Sequence, residues 1–222
     1  MNIFNPSRNR LINEFETLQQ TYQQASPVPH LTIDRLFDPK ILLTILPDFA
    51  LDHDCQTTNC KQFPDFKIKS WTVARLSDHT RTFYFWLNSP DFIRAMTLVV
   101  NKPKDSLLGD PTFYGAGLHE ILPGGQVKSY QGRIVHCCLP LKCQFNLITC
   151  LSPVDSQDFP GKIEIFSAQQ KHSQVTYSLK FNRTFILPII HQAQYRIINH
   201  GSDRQSLKLL SIYYWSLESK SV

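Results

Sequence analysis

The chain has 222 residues and a net charge of +5, with 42% hydrophobic residues, fifteen Phe and eight Tyr. That length and apolar content suit one sizeable buried core and exclude a disordered chain. The 23 Lys and Arg residues are dispersed, with no basic tract and no nucleic-acid motif, so no nucleic-acid partner is expected, whereas an anionic small molecule is compatible with the charge. No apolar run approaches the roughly 20 residues of a membrane helix. The N-terminal segment has no signal-peptide core, so a cytoplasmic chain without a membrane partner is expected.

From Ser7 to Ala25 the apolar residues Leu11, Phe15, Leu18 and Tyr22 fall at helical spacing, predicting a helix with one apolar face, capped by Ser7 and ended by Ser26-Pro27-Val28-Pro29. Asp38-Pro39 predicts a second helix to about Leu46, a capping carboxylate followed by proline at the first helical position. Residues 50–65 read as a loop and Ile68–Leu76 as an early strand. Ser89-Pro90-Asp91 opens a third helix to about Val100, and 102–111 form a connector.

After Tyr114 the pattern changes to short runs with alternation or β-branched residues: 126–136, 143–151, 162–167, 174–179, 183–190, 194–198 and 206–215. Turn chemistry such as Phe159-Pro160-Gly161 and Asn199-His200-Gly201-Ser202 separates them,. Helices first and many short strands afterwards predict a β-sandwich or barrel buttressed by helices. One domain over 1–222 is expected, with 1–112 a mostly helical buttress and 113–222 the β core.

Four of the eight glycines, at 115, 117, 124 and 125, cluster in Tyr114–Gln131, marking a backbone that turns tightly or lets something approach closely. The cysteines at 55, 60, 137, 138, 143 and 150 are expected to be reduced. Cys55-x4-Cys60 with His53 matches zinc spacing poorly. Cys137 and Cys138 would face opposite ways in a strand and are expected to be small buried hydrophobes. A Cys-His nucleophile built on either can be written, but no spacing selects it.

Several short motifs occur in one order: Leu87-Asn88-Ser89-Pro90-Asp91-Phe92, Gly109-Asp110-Pro111, Tyr114 to Glu120, Pro123-Gly124-Gly125, Asn146-Leu147-Ile148, Pro160 to Phe166, Asn182-Arg183 and Arg204 to Leu207. In order and spacing they resemble the 2-oxoglutarate- and Fe(II)-dependent oxygenases of the prolyl-hydroxylase-like kind, from about Phe37 to Trp215. The resemblance implies an α+β, mainly β fold, a double-stranded β-helix (jelly-roll, cupin-like) with N-terminal flanking helices. It also implies iron held by a His-x-Asp pair on one strand and a second His on a later strand, a face that leaves three positions open.

The chain departs from that pattern at each ligand. Counted from Gly124-Gly125, the His position falls on Tyr130 and the Asp position on Gly132; counted from Asn182-Arg183, the distal His falls on about Tyr195. The family's Arg-x-Ser, which pairs with the distal carboxylate of 2-oxoglutarate, matches Arg204 and Ser206. His119 matches a family turn in which the His is structural, and His30, His53, His79, His172 and His200 are expected at the surface. The leading expectation is therefore a degenerate, oxygenase-like protein with no cofactor, binding a small anionic molecule or a protein partner. The alternative is an active Fe(II)/2-oxoglutarate oxidoreductase, tailoring a small molecule or peptide at a non-standard metal site, with His136 and His191 as displaced ligands. A third reading closes the pocket, with Tyr130 and Tyr195 filling the former site.

Overall fold

The structure, a computed structural model, describes residues 5–51, 56–58, 67–128, 134–152, 161–167, 175–201 and 205–218; of 5 and 56–58 only the backbone is described. Two helices, α1 (Asn5–Asn13) and α2 (Phe15–Gln24), stand where one was expected. The kink at Glu14 (φ −104°, ψ 9°) is not an end, because amide bonds from Glu14 to the Arg10 carbonyl and from Leu18 to the Glu14 carbonyl run through it. Ser7 lies buried inside α1 rather than at its cap. Leu11, Leu18 and Tyr22 form the buried stripe that the spacing predicts,.

The strand β1 (Leu31–Asp34) precedes α3 (Pro39–Ile45), where the Asp38 carboxylate accepts from the Lys40 amide at 2.8 Å. Within the expected loop 50–65 the chain forms β2 (Gln56–Thr58). The next strand, β3 (Ile68–Thr72), is shorter than expected because a 3-10 turn takes Val73–Arg75. A helix absent from the sequence reading follows, α4 (Asp78–Leu87). Its aromatic and β-branched residues have modest helix propensity; burial of Phe83, Tyr84, Trp86 and Leu87 decides its conformation. The expected third helix is α5 (Pro90–Val99), whose cap Ser89 accepts from the Phe92 amide.

The β half comprises β4 (Gly117–Ile121), β5 (Gln126–Lys128), β6 (Leu141–Cys150), β7 (Gly161–Ser167), β8 (Val175–Ser178), β9 (Arg183–Pro188), β10 (Ala193–Asn199) and β11 (Leu207–Leu217). Apart from β4, for which no run was expected, these follow the expected runs except at 126–136, where β5 covers Gln126–Lys128 and Val135 bridges to Lys142. A seven-stranded sheet has the order β1-β9-β6-β11-β4-β3-β2 and a four-stranded sheet the order β5-β10-β7-β8. Every pairing among these strands is antiparallel. From β4 onward the chain passes back and forth between the two sheets, which is the winding of a double-stranded β-helix. A Cβ on Gly117 would collide with the Trp71 carbonyl, so glycine is what lets β4 lie against β3.

Side-chain alternation gives the large sheet two apolar faces. Ile148, Cys150, Phe185, Leu187, Leu209 and Trp215 face the barrel interior, where they meet Ile163, Ile165, Tyr195 and Ile197 of the small sheet. Phe145, Leu147, Ile186, Leu210, Ile212 and Tyr214 face the helices. Each such large side chain contributes about 1.5–3 kcal/mol on burial. No helix among the described residues is long and apolar enough to cross a membrane.

Asn182 ties the layers together. Its Nδ2 donates to the Phe37 carbonyl at 2.6 Å and its Oδ1 accepts from the Phe37 amide at 3.1 Å. Its own backbone bonds to Cys150 at the end of β6 and to Arg35 after β1, and its φ of +60° suits asparagine better than alanine,. Asn182→Ala is expected to cost about 2–4 kcal/mol in urea unfolding at constant m, through two orphaned backbone groups and αL strain. Asn182→Gly relieves the strain alone and should recover only about 1 kcal/mol of that loss.

Candidate functional site

The pairing of β5 with β10 runs Ile198–Gln126, Ile197–Val127 and Arg196–Lys128. Tyr195 therefore stands one residue beyond the last described pair. Tyr130, Gly132 and Arg204 lie outside the described residues. Tyr195 points into the barrel with the buried side chains Ala193 and Ile197 of its own strand. Its oxygen accepts from Asn146 Nδ2 on β6 at 3.1 Å, and the Tyr213 hydroxyl makes a second hydrogen bond to it. Burial pushes the Tyr195 phenol up to about 12, against the lowering effect of those partners. Among the described residues Asn146 Oδ1 and the Trp215 indole N–H are buried without a partner.

A second polar group lines the inner face of the large sheet. His119 on β4 bonds Ser70 on β3 through Nδ1 and Ser211 on β11 through Nε2, each at 2.9 Å. The neighbouring pairs Ser70–His119 and Gly117–Ser211 set this register. The ring closes a hydrogen-bond relay between three strands, in keeping with the structural role the sequence suggested. Burial pushes its pKa down to about 4.

The third cluster closes one end of the barrel. Asp110, 2% exposed, accepts from the Thr112 amide and hydroxyl on Oδ1 (2.8 and 2.7 Å) and from the Tyr114 amide on Oδ2 (2.6 Å). Burial pushes its carboxyl up, but the Thr112 and Tyr114 donors outweigh this and hold it below the ordinary carboxylate range. His136 Nε2 lies 3.2 Å from Asp110 Oδ2, while His136 Nδ1 accepts the amides of Cys138 and Leu139 at 3.1 and 3.0 Å. Two amide donors on Nδ1 place the proton on Nε2. Tyr114 and Trp215 pack on the ring at centroid distances of 4.9 and 5.3 Å, and a Cβ on Gly115 would press on the Tyr213 ring at 3.0 Å.

Both nitrogens of His136 are engaged, Nδ1 with the Cys138 and Leu139 amides and Nε2 with Asp110 and Thr112. His191 is exposed in the turn before β10. The Ser206 hydroxyl donates to Glu120 Oε1 at 2.5 Å, a carboxylate neighbour that opposes an anion there. His30 is a correction: it is 2% exposed, with its ring nitrogens on the Val28 carbonyl and the Tyr177 hydroxyl, both at 2.8 Å. Cys137 and Cys138 are exposed, not buried, whereas Cys143 and Cys150 are buried. His53, Cys55, Cys60 and His172 fall outside the described residues. The buried Asp110–His136 pair was missed; Gly109-Asp110-Pro111 was the only signal of it, and the partner histidine comes from 26 residues away.

No protein-family model matches the sequence, and no curated protein matches it significantly. Solved structures do match. A prolyl 4-hydroxylase from Phytophthora capsici aligns with TM-score 0.57 and 13% identity over 97% of this chain and 68% of its own. A prolyl hydroxylase from Trichoplax adhaerens, solved with a hypoxia-inducible-factor oxygen-degradation-domain peptide, aligns with TM-score 0.58 and 10% identity over 94% and 89%. The non-heme α-ketoglutarate-dependent epimerase SnoN of nogalamycin biosynthesis aligns with TM-score 0.62 and 12% identity over 92% and 84%. At these identities the likeness is one of fold: the chain has the jelly-roll of the prolyl-hydroxylase-like 2-oxoglutarate oxygenases.

The His119 relay predicts a pH dependence. The folded pKa is about 4 against 6.5 for the ordinary side chain. The neutral ring therefore contributes its full stability above about pH 6.5 and loses it as pH falls toward 4. In denaturant titrations His119→Gln should flatten this limb relative to the parent by up to about 1.4 kcal/mol per pH unit. His30, whose pKa burial also lowers, is present in both proteins and leaves that difference unchanged.

Proposed function

We propose that this chain is a non-catalytic protein on an oxygenase fold, which does not run Fe(II)/2-oxoglutarate chemistry and acts by binding. The observation that carries this reading is the Tyr195 hydroxyl. At about the position where the family resemblance places the distal histidine, the oxygen is held between Asn146 and Tyr213. A phenol binds iron well only as phenolate, and burial holds this one protonated up to about pH 12. Turning it toward a metal would also strip Asn146 Nδ2 of its acceptor, a loss of about 1–3 kcal/mol in a buried site. Gly132 has no side-chain donor wherever its backbone runs. The described residues do not fit a ferrous ion held in the family's manner.

Two partner classes suit this reading, a small anionic molecule reached through Arg204 or a protein. The Ser206–Glu120 bond supports the protein, because the serine half of the expected anion clamp is already taken. Purified protein incubated with Fe(II), ascorbate, oxygen and 2-oxoglutarate is expected to form no succinate above a protein-free control, and Arg204→Ala to behave identically. Succinate formation that disappears in Arg204→Ala would establish the opposite reading, an active oxygenase with a non-standard metal site.

A further inference from the structure

Below His136 the chain turns back on itself. His136 N–H donates to the Leu141 carbonyl at 2.9 Å, Cys143 N–H to Ile134 at 2.9 Å, and Leu141 N–H to Leu139 at 2.7 Å. The buried imidazole fixes the turn from beneath, taking the amides of Cys138 and Leu139 while Asp110 and Thr112 hold its far side. The two thiols at the tip are exposed, and their sulfurs are 3.1 Å apart. In a strand, adjacent side chains diverge. Here the turn brings both sulfurs to one side.

We propose that Cys137 and Cys138 form a vicinal dithiol site for a soft, thiophilic centre of low coordination number, the class that includes trivalent arsenicals. Three alternatives fit the geometry less well. A tetrahedral zinc with Zn–S near 2.3 Å holds its thiolates about 3.8 Å apart and needs four ligands. Among the described residues no group of three or more His, Cys, Asp and Glu could hold a metal, and the His136 nitrogens at the turn are both occupied. A disulfide requires the sulfurs to close to about 2.05 Å, in a small ring that contains the planar peptide between the two residues. A nucleophilic cysteine needs a depressed pKa, whereas the Cys138 thiol, as hydrogen-bond partner, pushes Cys137 up.

A soft centre with two open valences fits between the sulfurs without closing that ring. With an arsenical R–As=O the step balances. Each thiol gives up its proton, two As–S bonds form, the As=O bond breaks and its oxygen leaves as water; arsenic stays trivalent and no electrons transfer. The second As–S bond is intramolecular, so the chelate gains an effective concentration that a monothiol lacks.

The test is titration with phenylarsine oxide followed by intact mass. One adduct per chain, with loss of one water, is expected in the parent and in Cys55→Ser/Cys60→Ser. The adduct should survive excess glutathione, dissociate with a small dithiol, and map by peptide digestion to the segment holding Cys137 and Cys138. Cys137→Ser and Cys138→Ser should each lose the glutathione-resistant adduct while keeping the parent melting temperature. An adduct that maps elsewhere, disappears in Cys55→Ser/Cys60→Ser or is displaced by glutathione would overturn the proposal. Mapping on the parent chain decides the matter even if a serine variant folds poorly.

Discussion

The pairing of β6 with β11 is the constraint on which the rest of the molecule depends. It runs from Leu209–Cys150 to Leu217–Leu141, with one shift between Tyr214 and Trp215. Asn146, Ile148 and Cys150 face the barrel, whereas Phe145, Leu147 and Thr149 face away from it; β11 alternates in step. A slip of one residue would exchange the two faces and put Ser211 and Tyr213 among the helices. The same pair therefore organises the inner core between the sheets and the outer core beneath α4 and α5. The shift falls on β6, where Gln144 is passed over and Cys143 turns into the barrel two residues from the outward Phe145; β11 keeps its alternation, with Trp215 inside on His136 and Tyr214 stacked on Phe145 outside at 4.8 Å.

Among the described residues most polar groups inside this barrel are arranged toward one another, with Asn146 Oδ1 and the Trp215 indole N–H left over. His119 uses both nitrogens on serine hydroxyls, Tyr195 rests on Asn146 and Tyr213, and Asp110 takes donors from Thr112, Tyr114 and His136. Such pairing offsets the desolvation of groups that would each cost several kcal/mol alone in an apolar interior. A site that receives a metal needs the converse, lone pairs aimed at a common point and left free. The proposed non-catalytic reading rests on that contrast at Tyr195, and the dithiol proposal is independent of it, since Cys137 and Cys138 lie at the surface.

Much of the fold was legible because its signals are local. Asp38-Pro39 and Ser89-Pro90 announce their helices through cap chemistry, and the short alternating runs after Tyr114 map onto strands with small shifts at their ends. What escaped the sequence depends on distant partners. The helix α4 forms because Phe83, Tyr84 and Trp86 find a core, which weak propensity does not reveal. The strand β1 is four residues long and exists through pairing with β9. His30 looks like a surface histidine until Tyr177, 147 residues away, covers it. Cys137 and Cys138 mislead because they stand in an exposed bend rather than in a strand. Within the candidate site, motif spacing singled out 130, 132 and 195; of these Tyr195 is among the described residues, and the partners that hold it were not legible.

The most direct test of the central claim is an anaerobic titration of metal-stripped protein with Fe(II) and 2-oxoglutarate, monitored for the visible metal-to-ligand charge-transfer band. No band at stoichiometric iron and no heat of iron binding by calorimetry in the same buffer are expected. A band that saturates at one iron per chain would contradict that claim, showing that a ferrous 2-oxoglutarate site exists despite the commitment of Tyr195 to Asn146 and Tyr213.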